Sequence, residues 1–182
     1  MEPRVPTGAE KLIQCLEREG VEYIFGYSGG AAMPIFDALV DSDIKLILVR
    51  HEQGAAHMAD GYARVSGKEG VFVVVPGPGL LNTTAALSTA YSCNSPVLCV
   101  TGQIRSDLID LGRGLLHEIP NQLEMIRSVT KHSARAVRPE ARLRACRAAV
   151  ASRRAAPRSR RLRRRAGRRP GRDSSGRGCR RA

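Results

Sequence analysis

The chain of 182 residues carries 30 Lys and Arg against 17 Asp and Glu, a formal net charge of +13 that would ordinarily point to a nucleic-acid or membrane partner. The charge is segregated: residues 1–140 hold 13 basic and 16 acidic side chains, a net of −3, whereas residues 141–182 hold 17 Arg and one Asp, a net of +16. A basic fold is thereby excluded for the first 140 residues, which suffice for one core, and no apolar run reaches the ~20 residues of a membrane-spanning helix.

In chain order, Thr7 and Glu10 form a T-x-x-E capping box that opens a helix with Leu12, Ile13 and Leu16 on one face, and Gly20 closes it. Val21 to Phe25 read as a strand. The loop Gly26-Tyr27-Ser28-Gly29-Gly30 then leads into a helix containing Ile35, Phe36, Leu39 and Val40. Ile44 to Val49 form a second apolar run of strand length. Ala55, Ala56, Met58, Ala59, Tyr62 and Ala63 follow at helical spacing. Between them stands Glu52, at the carboxyl end of a strand, where open α/β sheets bind ligands; the competing reading is a first-turn acid that only meets the helix macrodipole.

Gly70 to Val75 predict a buried parallel strand. Pro76-Gly77-Pro78-Gly79 is a rigid turn that lets backbone approach a ligand, or simply a tight turn. A helix from about Leu80 to Tyr91 carries Asn82 in its first turn, and Pro96 to Thr101 form a fourth strand that ends in Gly102-Gln103. Four apolar strands alternating with helices predict an α/β fold, a doubly wound parallel sheet with helices on both faces. A Rossmann nucleotide site is not predicted, since no G-x-G-x-x-G opens a helix and no P-loop occurs.

Five cysteines, Cys15, Cys93, Cys99, Cys146 and Cys179, make an odd set without a C-x-x-C pair or metal-ligand spacing. They predict reduced thiols and no metal site. The opening MEPRVPTGAEKL lacks an apolar signal core, so the expected location is cytoplasmic, with no membrane partner.

Several segments carry a family resemblance. RHEQGAAHMADGYAR from Arg50, GYSGGAAMPIFDAL from Gly26, GPGLLNTTAAL from Gly77, SPVLCVTGQI from Ser95 and TKHSARAV from Thr130 resemble, in order and spacing, the amino-terminal pyrimidine-binding domain of thiamine diphosphate enzymes of the acetolactate synthase type. The resemblance covers about residues 7 to 140 and sets the expected domain at 1–140. It implies that Glu52 hydrogen-bonds N1′ of the cofactor's aminopyrimidine and favours the imino tautomer, whose 4′-imine removes the thiazolium C2 proton. The reaction so implied is decarboxylation of a 2-keto acid followed by transfer to an acceptor, with the hard chemistry supplied by the cofactor.

By the same resemblance the loop bearing Gly29 and Gly30 and the turn bearing Pro78, Gly79 and Asn82 bind the aminopyrimidine half of thiamine diphosphate. Ser28 stands where the family usually has proline. Gln103 matches a substrate-facing glutamine. His117 is a departure on the substrate side, where acetolactate synthases usually carry glutamine. Lys131 matches the family's Lys-His-Ser run or is a solvated strand-edge charge, and His51 and His57 are expected to pack and hydrogen-bond rather than to catalyse. Relatives bind the diphosphate and Mg²⁺ through a separate domain with a Gly-Asp-Gly motif absent from these residues, and some bind FAD in a central domain; neither site is expected here. Relatives are homodimers or homotetramers with the active site between subunits. The expectation is therefore a fragment, catalytically incompetent by itself.

From Ala141 the residue types reduce to Arg, Ala, Gly, Ser, Pro, Leu, Cys, Val and Asp, with no Lys. A basic arm selected for phosphate contact would mix Lys with Arg, and Arg, Ala, Gly and Pro share GC-rich codons. Residues 141–182 are thus expected to be a disordered, low-complexity tail and an out-of-frame translation that begins near Glu140. The alternative is a basic nucleic-acid-binding protein in which the Arg-rich tail contacts RNA and the α/β domain is a scaffold.

Overall fold

The first helix, α1 (Gly8–Arg18), starts where the capping box requires: Thr7 Oγ1 accepts from Glu10 N at 3.2 Å, and Glu10 Oε2 accepts from Thr7 N at 2.6 Å. Gly20, at φ +78°, turns the chain out of it. The computed structural model describes residues 5–137. The segment 141–182, with Cys146 and Cys179, lies outside the described residues, and so do the expectations attached to it.

Four strands follow in alternation with helices: β1 (Tyr23–Gly26), α2 (Met33–Leu39) after a 3-10 turn, β2 (Lys45–Leu48), α3 (Glu52–Ser66), β3 (Gly70–Val74), α4 (Pro78–Asn82), α5 (Thr84–Ser92), β4 (Val97–Thr101) and α6 (Gln122–Arg127). All pairings are parallel and the order is β2-β1-β3-β4, with Phe25 opposite both Ile47 and Phe72, and Phe72 opposite Cys99. The sheet is doubly wound. From β1 the chain moves outward to β2, then returns across β1 to β3 and continues the other way to β4, so the winding reverses between β1 and β3.

Strand alternation divides the core into two layers. Ile24, Val71 and Val73 face α1 and α2, where Leu12, Ile13, Leu16, Ala32 and Leu39 are buried. Phe25, Phe72 and Val74 face α3, α4 and α5, with Ala55, Ala56, Ala59, Leu80 and Leu87. Phe72, Ile24, Val71, Val73 and Val74 are each 0% exposed, burial that stabilises by about 1.5–3 kcal/mol per side chain. The alanine face of α3 lets it ride close to the sheet: a Cβ on Gly70 would sit 2.0 Å from the Ala59 carbonyl oxygen. That approach fixes the height at which α3 begins, and with it the position of Glu52.

The helix read from about Leu80 to Tyr91 is in fact two. It starts earlier, at Pro78, and is interrupted at Thr83, whose fully buried Oγ1 donates to the Leu80 carbonyl at 2.7 Å. Thr84 Oγ1 does the same to Leu81 at 2.8 Å. The short helix α6 lies in a region to which no element was assigned from the sequence.

Candidate functional site

β2 hands over to α3 at the carboxyl end of the sheet. His51 is the N-cap, in extended backbone at φ −158°, and its Nδ1 accepts from Gln53 N at 3.2 Å. Glu52 is the next residue and is only 8% exposed. Its Oε2 accepts from Asn82 Nδ2 at 3.0 Å, and among the described residues no cation pairs with it. One buried carboxylate further along the same helix is handled differently. Asp60, 5% exposed, is gripped by Arg64, which donates from Nε at 2.9 Å and from Nη2 at 2.6 Å. Burial pushes the Asp60 carboxyl up, but the Arg64 hydrogen bonds and the Arg64 charge outweigh it and hold Asp60 below the ordinary carboxylate value. Asp60 is neutralised in place; Glu52 is left with one neutral amide donor.

Two glycines let the flanking loops close on Val75, one of them against Glu52. A Cβ on Gly79 would lie 2.4 Å from Val75 Cγ2 and 3.2 Å from Glu52 Oε1, so α4 can rest on the carboxyl only because that position lacks a side chain. A Cβ on Gly29 would lie 2.5 Å from the other methyl of Val75, Cγ1. The backbone of Gly29 is extended, at φ −177°, so the requirement is for room and not for dihedral freedom. Val75 is thus wedged between the β1 loop and the turn after β3, the two loops that flank the reversal of winding. Gly30 differs: a Cβ there would meet nothing within 4 Å. Pro78 is the first residue of α4, where its fixed φ suits a helix start.

Gly77 anchors the same turn. It is the N-cap of α4 at φ +62°, its N–H donates to Gln122 Oε1 at 2.9 Å, and its α-carbon is pressed on the backbone of His117, whose oxygen would be 2.3 Å from a Cβ. Gln122, 8% exposed, donates from Nε2 to the Gly102 carbonyl at 3.1 Å.

The remaining predicted residues are dispersed. Gln103 lies just past β4, half-buried, with Oε1 accepting from Ile104 N at 2.9 Å. His117 is held against Gly77 at φ +70°, and its Nδ1 is buried without a hydrogen-bond partner among the described residues. Lys131 is not brought to Glu52: its amine donates to Asn94, which precedes β4 at the opposite end of the sheet. Among the described residues no three potential metal ligands cluster, and no helix is long and apolar enough to cross a membrane.

The sequence reading missed Gln122. Its partners Gly77 and Gly102 are far away along the chain, and a six-residue helix gives too little periodicity to mark it. Pro120-Asn121 ahead of Leu123 and Ile126 was the available signal of a short helix.

A parallel sheet whose winding reverses beside a buried, cation-free carboxylate defines an α/β domain with a candidate ligand site at the carboxyl edge of the sheet. Residues 6–125 match the family model described as thiamine pyrophosphate enzyme, N-terminal TPP binding domain, and the chain belongs to that family. It is 50% identical over 133 residues to a probable acetolactate synthase large subunit of Methanocaldococcus jannaschii, covering 73% of this chain and 22% of that protein. It is 48% identical over 128 residues to the acetolactate synthase large subunit of Haemophilus influenzae, covering 70% and 22%. A probable 2-ketoarginine decarboxylase of Pseudomonas aeruginosa is 41% identical over 134 residues, with 74% and 24% covered. The chain therefore spans about a fifth of the length of these curated relatives.

Proposed function

We propose that this chain is the aminopyrimidine-binding part of a thiamine diphosphate enzyme of the acetolactate synthase kind, and that Glu52 is the carboxyl that exchanges a proton with the ring nitrogen N1′. The observation that carries this reading is the contrast within α3: Asp60 is buried with its guanidinium, whereas Glu52 is buried with a single amide. A desolvated carboxyl with no cation is costly to the fold, and it is explained if a basic nitrogen docks against it.

The residues present fit the cofactor. Asn82 holds Oε2 and so fixes the rotation of the carboxyl, and Gly29 and Gly79 supply backbone edges without side chains on either side of Val75. Pro78 and Gly30 complete the two loops. When bound, thiamine diphosphate supplies the electron sink for cleaving the bond beside a 2-keto acid carboxylate. Glu52 holds or releases the proton at N1′ in a cleft poor in water. Gln103 and His117 are the substrate-side candidates, since both lie past strand ends on the carboxyl side; Lys131 would reach a substrate only through another subunit.

One relative is named as a 2-ketoarginine decarboxylase and others as acetolactate synthases, and the substrate class proposed for the parent enzyme is a 2-keto acid. The diphosphate and Mg²⁺ would be held by regions of a parent enzyme other than this chain, in a homodimer or homotetramer, in a soluble cytoplasmic setting. FAD, if the parent uses it, would also bind elsewhere.

Calorimetric titration of the purified chain with thiamine diphosphate tests the reading. Binding by half a site is expected with a Kd on the order of 1 mM, and Glu52→Gln should weaken it about tenfold, roughly 1.4 kcal/mol. Equal affinities for the two proteins would remove Glu52 from the site. With pyruvate, thiamine diphosphate and Mg²⁺ the chain by itself should give no turnover; sustained acetolactate or acetaldehyde formation would refute the half-site assignment.

A further inference from the structure

The segment that touches Glu52 is held in place by very little of its own. α4 has five residues, too few for a helix to be stable by itself, and no side chain caps its amino end. Yet this turn supplies both groups against the carboxyl, the α-carbon of Gly79 and the amide of Asn82. Its orientation must come from outside. Among the described residues the polar side chain that grips its N-cap is Gln122, which accepts from Gly77 N at 2.9 Å and, with the other end of the same amide, donates to the Gly102 carbonyl after β4 at 3.1 Å.

Gly102 is itself confined. A Cβ there would be 2.6 Å from the Ala31 carbonyl oxygen in the β1 loop and 3.4 Å from Pro76 Cδ. The planar amide of Gln122 therefore joins the loops after β3 and β4, and through Gly102 the loop after β1 is packed on the same point. The His117 backbone packs on the same glycine, with its carbonyl oxygen 2.3 Å from where a Gly77 Cβ would be.

We propose that Gln122 is a positioning residue: it locks the turn 76–79 so that Gly79 and Asn82 stay registered on Glu52, and its consequence for cofactor binding rests on the reading of Glu52 given above. The amide is suited to this because it offers an acceptor and a donor at opposite corners of one rigid plane. A buried N–H without an acceptor is unfavourable, so removing Gln122 drives Gly77 to turn away, and α4 follows.

The test uses the full chain and three variants. Gln122→Met keeps the volume and removes both hydrogen bonds. Gln122→Glu keeps the acceptor for Gly77 and loses the donor for Gly102. Ile126→Val trims the buried side chain one turn away on α6 without removing either hydrogen bond of Gln122, and serves as a stability control. The readouts are the Asn82 side-chain amide resonances in 15N–1H spectra without ligand, assigned through their loss in Asn82→Ser, and the affinity for thiamine diphosphate.

The lock predicts that Gln122→Met shifts the Asn82 resonances toward solvent-exposed values and weakens thiamine diphosphate about tenfold or more. Gln122→Glu should do the same to a smaller degree, which keeps the question open to measurement even if the Met variant fails to fold. Ile126→Val should lower Tm and leave both readouts unchanged. If the Asn82 resonances stay in place in both Gln122 variants while the wild type binds thiamine diphosphate, the lock is refuted and the cofactor reading stands. If they shift while the wild type fails to bind, the lock holds the pair as proposed and the cofactor reading falls.

Discussion

Asp60 and Glu52 share a helix and are almost equally hidden, yet they should respond to change in opposite ways. Asp60→Asn breaks a charge-assisted pair and should cost about 1–2 kcal/mol, a modest figure because Arg64 keeps much of its hydration. Because the folded Asp60 carboxyl is held below its ordinary value, its stabilisation is complete above the unfolded value of about 3.9 and is lost as pH falls through the lower folded one. The difference between wild type and Asp60→Asn in urea denaturation should therefore be constant from about pH 7 to 5 and narrow below about pH 4. The thiols diverge as well. Desolvation pushes the thiol of Cys99, a half-buried residue, up to about 12, whereas Cys93 lies exposed. Since the thiolate is the reactive form, iodoacetamide at pH 8 should modify Cys93 readily and leave Cys99 intact in the folded chain, as peptide mapping would show; equal labelling would mean that the β4 edge opens.

The loops after β1 and β3 explain which glycines matter and why. Gly77 sits at φ +62° with a carbonyl oxygen 2.3 Å from where a Cβ would be, so Gly77→Ala should cost at least about 2 kcal/mol in strain and displacement. Gly30 has open space around it, so Gly30→Ala should change stability by no more than about 0.5 kcal/mol, and a loss of thiamine diphosphate affinity there would report on the ligand alone. Thermal denaturation of the two variants separates these cases. Much of this organisation was legible before any coordinates, because it is local: Thr7 and Glu10 announce α1, and the runs Gly70–Val74 and Val97–Thr101 announce strands. The place of Glu52 at a strand-to-helix junction was legible from the apolar run before it and the helical repeat after it. What stayed hidden was long-range. Nothing near Thr83 marks a break in a helix-like pattern until its hydroxyl is seen to claim the Leu80 carbonyl. Nothing near Gln122 or Lys131 reveals Gly77 or Asn94 as partners, because side-chain hydrogen bonds between distant segments leave no period in the sequence.

For the chain as a whole, charge is distributed so that two behaviours coexist: a domain of net −3 followed by 42 residues of net +16. The full chain should bind RNA and DNA without sequence preference and lose most of that affinity between about 50 and 200 mM salt through counterion release, whereas a chain ending at Glu140 should not bind. Filter binding at several salt concentrations distinguishes this from an evolved RNA site, which would retain one preferred sequence at physiological salt. The sheet order also dictates when the domain can work. Phe25 pairs with Phe72 across strands that are neighbours in space but have β2 and α3 between them in the chain, and such non-local closure is slow because its entropy must be spent before the contacts form. A ribosome that has finished Ser66 has already made Glu52, but Val75, Gly79 and Asn82 are still to come. The carboxyl therefore exists before the groups that cover it, and it becomes a buried group only once β3 and α4 have been made and have folded against α3.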